Sequence, residues 1–114
     1  MTLIPNDVLR LSEAELSRSL PGLPLPFCVL FERGEVSIEL YAPRGVDTQS
    51  PHTRDELYIV ASGSGTFRRA DEVCEFHAGD LLFVPARVEH RFERFSDDFR
   101  TWVIFFGPEG GVRT

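Results

Sequence analysis

A chain of 114 residues is long enough for one domain with a substantial core and too short for two. With 42% hydrophobic and 26% charged residues it has the balance of an ordinary globular protein, and ten phenylalanines against one methionine favour a core of rigid side chains. A formal charge of −6 and a pI near 5.0 argue against a nucleic-acid partner, whose phosphates require a positive face. Arg68-Arg69 and Arg87, Arg91 and Arg94 do cluster, but Glu89 and Glu93 interrupt them. The N-terminus lacks a basic segment followed by an apolar run, and no apolar stretch nears the roughly 18 residues of a membrane span. The expectation is therefore a cytoplasmic protein without membrane contact. Cys28 and Cys74 form no Cys-x-x-Cys pair, and each sits in a strand-like run, so two buried free thiols are expected.

Residues 1–20 hold the helical candidate. Ser12-Glu13-Ala14-Glu15 has a capping-box arrangement, and Leu16 and Leu20 supply a short apolar stripe. Pro21-Gly22-Leu23-Pro24-Leu25-Pro26 ends it, since proline cannot continue a helix. Residues 1–26 are expected to pack along the domain or across a partner subunit, and 27–114 to form the folded domain. From Phe27 onward strands follow at short spacing: Phe27–Arg33, Glu35–Ala42, then about 55–62, 65–70, 72–76, 80–84, 88–95 and 99–106, separated by Gly, Pro, Asp and Ser turns. Val36, Ile38 and Leu40 alternate with Ser37, Glu39 and Tyr41 in a half-buried rhythm. His77, before the turn Ala78-Gly79-Asp80, reads as surface. Strands without intervening helices indicate an all-β sandwich or barrel, but periodicity does not choose among a jelly roll, an immunoglobulin-like sandwich and a lipocalin-like barrel.

Two stretches carry more information. Ser50-Pro51-His52-Thr53-Arg54-Asp55-Glu56 followed by Gly63, and Gly79, Pro85 and His90, resemble the two metal-binding motifs of the cupin family. Ser50 stands where the first motif has its first histidine, Arg87 where the second has glycine, and Arg94 where it has asparagine. The resemblance covers roughly residues 36–106. It implies an antiparallel double-sheet jelly-roll barrel with a short N-terminal helical segment, and one divalent transition ion (Fe, Zn, Mn or Ni) held by His52, Glu56 and His90. On a straight strand, residues four apart lie about 13 Å from each other, so His52 and Glu56 share an ion only if the chain reverses at Thr53-Arg54-Asp55. That reversal would put them on neighbouring antiparallel strands. His90 alternates in phase with Val88 and Phe92, and so points inward.

Two imidazoles and a carboxylate leave positions of an octahedral ion open for substrate, water or dioxygen. Ser50 in place of histidine opens one more, unless Gln49 or Asp47 enters as an extra ligand. Tyr58 shares the phase of Glu56, and the two are the candidate proton-handling groups. Phe92, which shares the phase of His90, and Arg54, Arg87 and Arg94 are the candidate ligand-binding residues, since arginine's planar fork takes a carboxylate bidentately. Core packing is the competing role for Tyr58 and Phe92, and plain surface charge for the arginines. Two functions are expected from different classes: a metalloenzyme of dioxygenase or isomerase type acting on a small carboxylate-bearing molecule, or a ligand-binding or sensing module without turnover. A homodimer is expected because Trp102-Val103-Ile104-Phe105-Phe106 reads as an apolar edge strand that needs covering.

Overall fold

The computed structural model describes residues 4–112; the outermost ends of the expected segments 1–26 and 27–114 lie outside the described residues. The one described α-helix, α1 (Glu13–Ser19), starts at Ser12, whose hydroxyl accepts the Glu15 N–H at 3.3 Å. It runs into a 3₁₀ turn, Leu20–Gly22, where Pro21 forbids continuation. No helix among the described residues is long and apolar enough to cross a membrane.

Eight strands follow: β1 (Phe27–Arg33), β2 (Val36–Tyr41), β3 (Asp55–Ser62), β4 (Ser64–Arg69), β5 (Glu72–His77), β6 (Leu81–Val84), β7 (His90–Phe95) and β8 (Arg100–Phe106). They form a five-stranded sheet in the order β1-β2-β8-β3-β6 and a three-stranded sheet in the order β5-β4-β7, with every pair antiparallel. This is a double-sheet jelly-roll barrel. Between the sheets, Tyr58, Val60, Val84, Val103 and Phe105 meet Phe67, Phe76, Phe92 and Phe99. Phe92 sits at the centre, 4.7 Å from the rings of Phe67 and Phe99 and edge-on to Tyr58 at 4.8 Å.

The five-stranded sheet is apolar on its outer side too. Leu30 and Leu40, with Cys28 and Trp102, are covered there by Leu11, Leu16, Leu20 and Leu23 of the N-terminal segment. Leu20 and Leu23 beside the proline run thus pack on the barrel of their own chain, while Leu25 is exposed. Three expectations are corrected at this level. Trp102–Phe106 is no edge: β8 lies between β2 and β3, and a strand buried on both faces reads as an unbroken apolar run. Cys74 is exposed on the sheet-edge strand β5 and Cys28 is half-buried, although both are free thiols. His52 lies on no strand; it sits in the irregular segment between β2 and β3. His77 is at the surface, as expected, its backbone N–H held by Asp80.

Candidate metal centre

The segment from Ala42 to Arg54 folds around one buried carboxylate. Asp47 is 1% exposed and accepts four hydrogen bonds: Oδ1 from the Tyr41 hydroxyl at 2.8 Å and the Gln49 N–H at 3.0 Å, Oδ2 from the Gln49 amide at 2.9 Å and the Phe92 N–H at 2.8 Å. These fix the loop to β2 and β7 together. Farther along, the His52 carbonyl accepts the Arg87 N–H at 2.5 Å and the Thr53 carbonyl accepts the Gly110 N–H at 2.6 Å. Asp55, also buried, takes the N–H groups of Ala86 and Val112. The bend at Thr53-Arg54 then delivers His52 to the start of β3, where Glu56 points between the sheets.

Three side chains converge there. The His90 Nε2 lies 3.1 Å from Glu56 Oε1, the His52 Nε2 lies 3.5 Å from Glu56 Oε2, and all the candidate ligand atoms fall within 4.8 Å of one another. Glu56 comes from the five-stranded sheet and His90 from the three-stranded one. The His90 Nδ1 is 2.9 Å from the Val88 carbonyl, which only accepts, so Nδ1 carries the proton. In the neutral ring Nε2 therefore presents a lone pair to a carboxylate. Both Glu56 oxygens and the His90 Nε2 are buried without a hydrogen-bond partner. Acceptors facing one another in a buried place need a proton or a metal cation between them. Ligand atoms about 2.0–2.2 Å from one ion sit roughly 3–3.5 Å apart, and the two histidine–Glu56 separations fall in that range. The residues fit a divalent transition ion.

The buried carboxylates attract positive charge, a proton or a metal ion alike. Burial opposes protonation of His90, but Glu56, the Val88 carbonyl and Asp47 outweigh it and hold its pKa above the ordinary value. Burial lowers that of His52, against the pull of Glu56. Burial, and next the charge of Glu56, push the Tyr58 phenol well up. Glu39, on β2, is raised from 4.5 to about 7 by burial and then by the Glu56 charge, with Arg54 opposing.

A pocket of ≈ 450 Å³ opens over the cluster, lined by His52, Glu56, Glu39, Arg54 and Gln49 on its polar side and by Phe27, Val103 and Phe105 on its apolar side. Tyr58 is fully buried and donates its hydroxyl to Gln49 Oε1 at 2.9 Å. Phe92 lies in the ring cluster of the core rather than on the pocket wall. Arg54 lines the pocket, donating to the Glu35 carbonyl at 3.0 Å with its guanidinium carbon 5.5 Å from the Phe105 ring centre. Arg87 is exposed in the turn before β7, at a φ of +66° that explains the expectation of glycine there. Arg94 does not share the face of His90. The pairing of β7 with β4 slips between Thr66 and Phe67, inverting the alternation beyond Phe92, so Arg94 emerges on a separate groove beside His77. Asp47 and Gln49 had been named only as spare ligands, and Glu39 only as a strand position; their roles depend on how an irregular loop closes.

Fold and site together define a small jelly-roll barrel with an interior histidine–carboxylate centre. The profile of the cupin domain matches residues 37–105, and the chain belongs to the cupin family. An uncharacterized protein of Streptomyces coelicolor is 39% identical over 103 residues, spanning 88% of this chain and 95% of its relative. Among solved structures, a cupin-2 domain protein from Shewanella frigidimarina is similar at a TM-score of 0.63 and 20% identity, over 84% of this chain and 94% of the other. A candidate mannose-6-phosphate isomerase from Ralstonia eutropha is similar at a TM-score of 0.55 and 28% identity, over 72% and 83% of the two chains.

Proposed function

We propose that this cupin is a metal-dependent enzyme of isomerase type, moving a proton on a small carboxylate-bearing molecule bound beside His52, Glu56 and His90. The observation that carries it is the convergence of three ligand atoms within 4.8 Å, with the Glu56 oxygens and the His90 Nε2 buried and without a hydrogen-bond partner, next to a pocket of ≈ 450 Å³. When bound, the ion supplies Lewis acidity toward a substrate oxygen. Arg54 pairs with the substrate carboxylate, and Phe27, Val103 and Phe105 shield the reacting carbon from water. Of the acidic groups, Glu39 is the one free to carry a proton. Its carboxyl faces the pocket with no hydrogen bond or ion pair among the described residues, whereas the Tyr58 hydroxyl is engaged by Gln49 and Glu56 serves as ligand. The 28% identity to a protein named as a candidate isomerase supports the class. The acidic chain works as a homodimer in the cytoplasm, without nucleic acid.

The test is to reconstitute purified protein with Fe²⁺, Mn²⁺, Zn²⁺ or Ni²⁺ and incubate it with 2-oxo and 2-hydroxy acids in D₂O, following proton exchange by NMR and oxygen by electrode. Exchange that is lost in both His90→Ala and Glu39→Gln supports the proposal. Oxygen consumption in its place would identify a dioxygenase with the same ligands. Tight binding with neither would identify a ligand-binding module.

A further inference from the structure

Ser50 leaves the ion one protein ligand short, and the structure points to what replaces it. The Ser50 side chain is exposed and makes no hydrogen bond among the described residues. Asp47 is excluded, because each of its oxygens already accepts two hydrogen bonds and a carboxylate has about four acceptor sites in all. Gln49 is different. Its Nε2 donates to Asp47 Oδ2 at 2.9 Å, which settles the orientation of the amide and turns Oε1 toward the site. There Oε1 accepts the Tyr58 hydroxyl at 2.9 Å and lies 3.4 Å from His52 Nε2. One of its two lone pairs is used by Tyr58; the other accepts from His52 Nε2 when that nitrogen carries the proton, and is freed for an ion when His52 Nε2 is itself a deprotonated ligand. The 3.4 Å separation falls in the same range as the 3.1 and 3.5 Å between the other ligand atoms.

We infer that the side-chain oxygen of Gln49, aimed by Asp47 and Tyr58, is the fourth protein ligand of the metal ion and stands in for the histidine absent at Ser50. This rests on the metal reading above. An amide oxygen, a carboxylate and two imidazoles make a mixed nitrogen–oxygen set suited to Fe²⁺, Mn²⁺, Co²⁺ or Zn²⁺ rather than to a thiolate-preferring ion. It also ties the loop carrying Asp47 to the occupied centre.

The experiment measures Zn²⁺ affinity by competition with a chromophoric chelator, and records the visible d–d spectrum of the Co²⁺-loaded protein, for wild type, Gln49→Leu, Gln49→Asn, Tyr58→Phe and His52→Ala. Loss of a supporting hydrogen bond typically costs 10–100-fold in metal affinity, so weakening alone does not separate ligand from support. The spectrum does. Both Gln49 variants should bind Zn²⁺ about 10–100-fold more weakly and change the position and intensity of the Co²⁺ bands, since Asn withdraws the oxygen by one methylene. Tyr58→Phe should keep the wild-type bands. Wild-type protein that binds no stoichiometric Zn²⁺, or His52→Ala that binds as wild type, overturns the metal reading itself. Wild type that binds, with both Gln49 variants retaining its Co²⁺ bands, overturns only the role of Gln49. Gln49→Asn keeps the test decisive should the leucine variant fail to fold.

Discussion

Glu39 is half-buried on β2 between Glu56, Arg54 and Glu32, with its pKa raised from 4.5 to about 7, first by burial and then by Glu56. The folded protein therefore holds this proton more tightly than the unfolded chain. Its stabilising effect is complete below pH 4.5 and is lost as pH rises through 7. Replacing Glu39 with Gln should remove that loss: in metal-free protein, wild type should fall relative to the variant by roughly 1–2 kcal/mol between pH 4.5 and pH 8, discounted for the pocket's access to water. Urea unfolding across that range checks it, and parallel curves would contradict the environment described for Glu39. None of this is visible in the sequence, where Glu39 reads as the polar half of an alternating strand. His52, Glu56 and His90 were legible because a ligand set needs particular residue types at restricted spacings. Asp47 and Gln49 were legible only as alternatives for an extra ligand; the way Asp47 ties the loop together was not, since hydrogen bonds inside an irregular loop leave no period behind. Arg94 was misplaced for a related reason: one slipped residue in β7 inverts every later side chain, and nothing local in the sequence marks it.

Strand β4 pairs with both β5 and β7, and its Gly65 lies opposite Phe95 of β7. A Cβ at Gly65 would collide with the Arg94 carbonyl, and one at Gly63, whose φ is +86°, would sit 2.6 Å from the Phe99 Cα. Backbone cannot swing aside as a flexible side chain can. Gly65→Ala should therefore destabilise the barrel by about 2–4 kcal/mol, against at most about 0.5 for an ordinary surface substitution. Chemical denaturation of the two proteins measures this, and a cost under about 1 kcal/mol would show that β4 and β7 yield easily. At this scale the sequence was most readable. Alternation and turn residues located each strand to within about two residues, because a strand's period and its Gly and Pro boundaries are local properties. Position within the sheet is set by long-range pairing, so β8 passed for an edge when it is the central strand.

Seen whole, the barrel carries apolar surface outside as well as inside. On the outer side of the five-stranded sheet, Ile59 lies between Trp102 and Leu81, and Leu57 between Ile104 and Phe83. The N-terminal segment covers only part of this face: Leu81 is 59% exposed, Phe83 41% and Ile59 36%. The expected homodimer is proposed to close over these residues, and Phe83→Arg should then give monomer by light scattering at micromolar protein, while a wild type that is already monomeric refutes the dimer. The placement of Glu56 in one sheet and His90 in the other has a mechanical consequence. An ion shared by the two is a rivet through the thickness of the barrel, and separating the sheets must expel it. Its binding energy then adds to cohesion: at a free concentration 100-fold above its dissociation constant the gain is about 2.7 kcal/mol, a rise of about 10 °C in melting temperature for a domain of this size. Calorimetry with and without chelator should show that rise in wild type and its absence in His90→Ala. The fraction of this protein that is folded in a warm cell would then follow the supply of free metal.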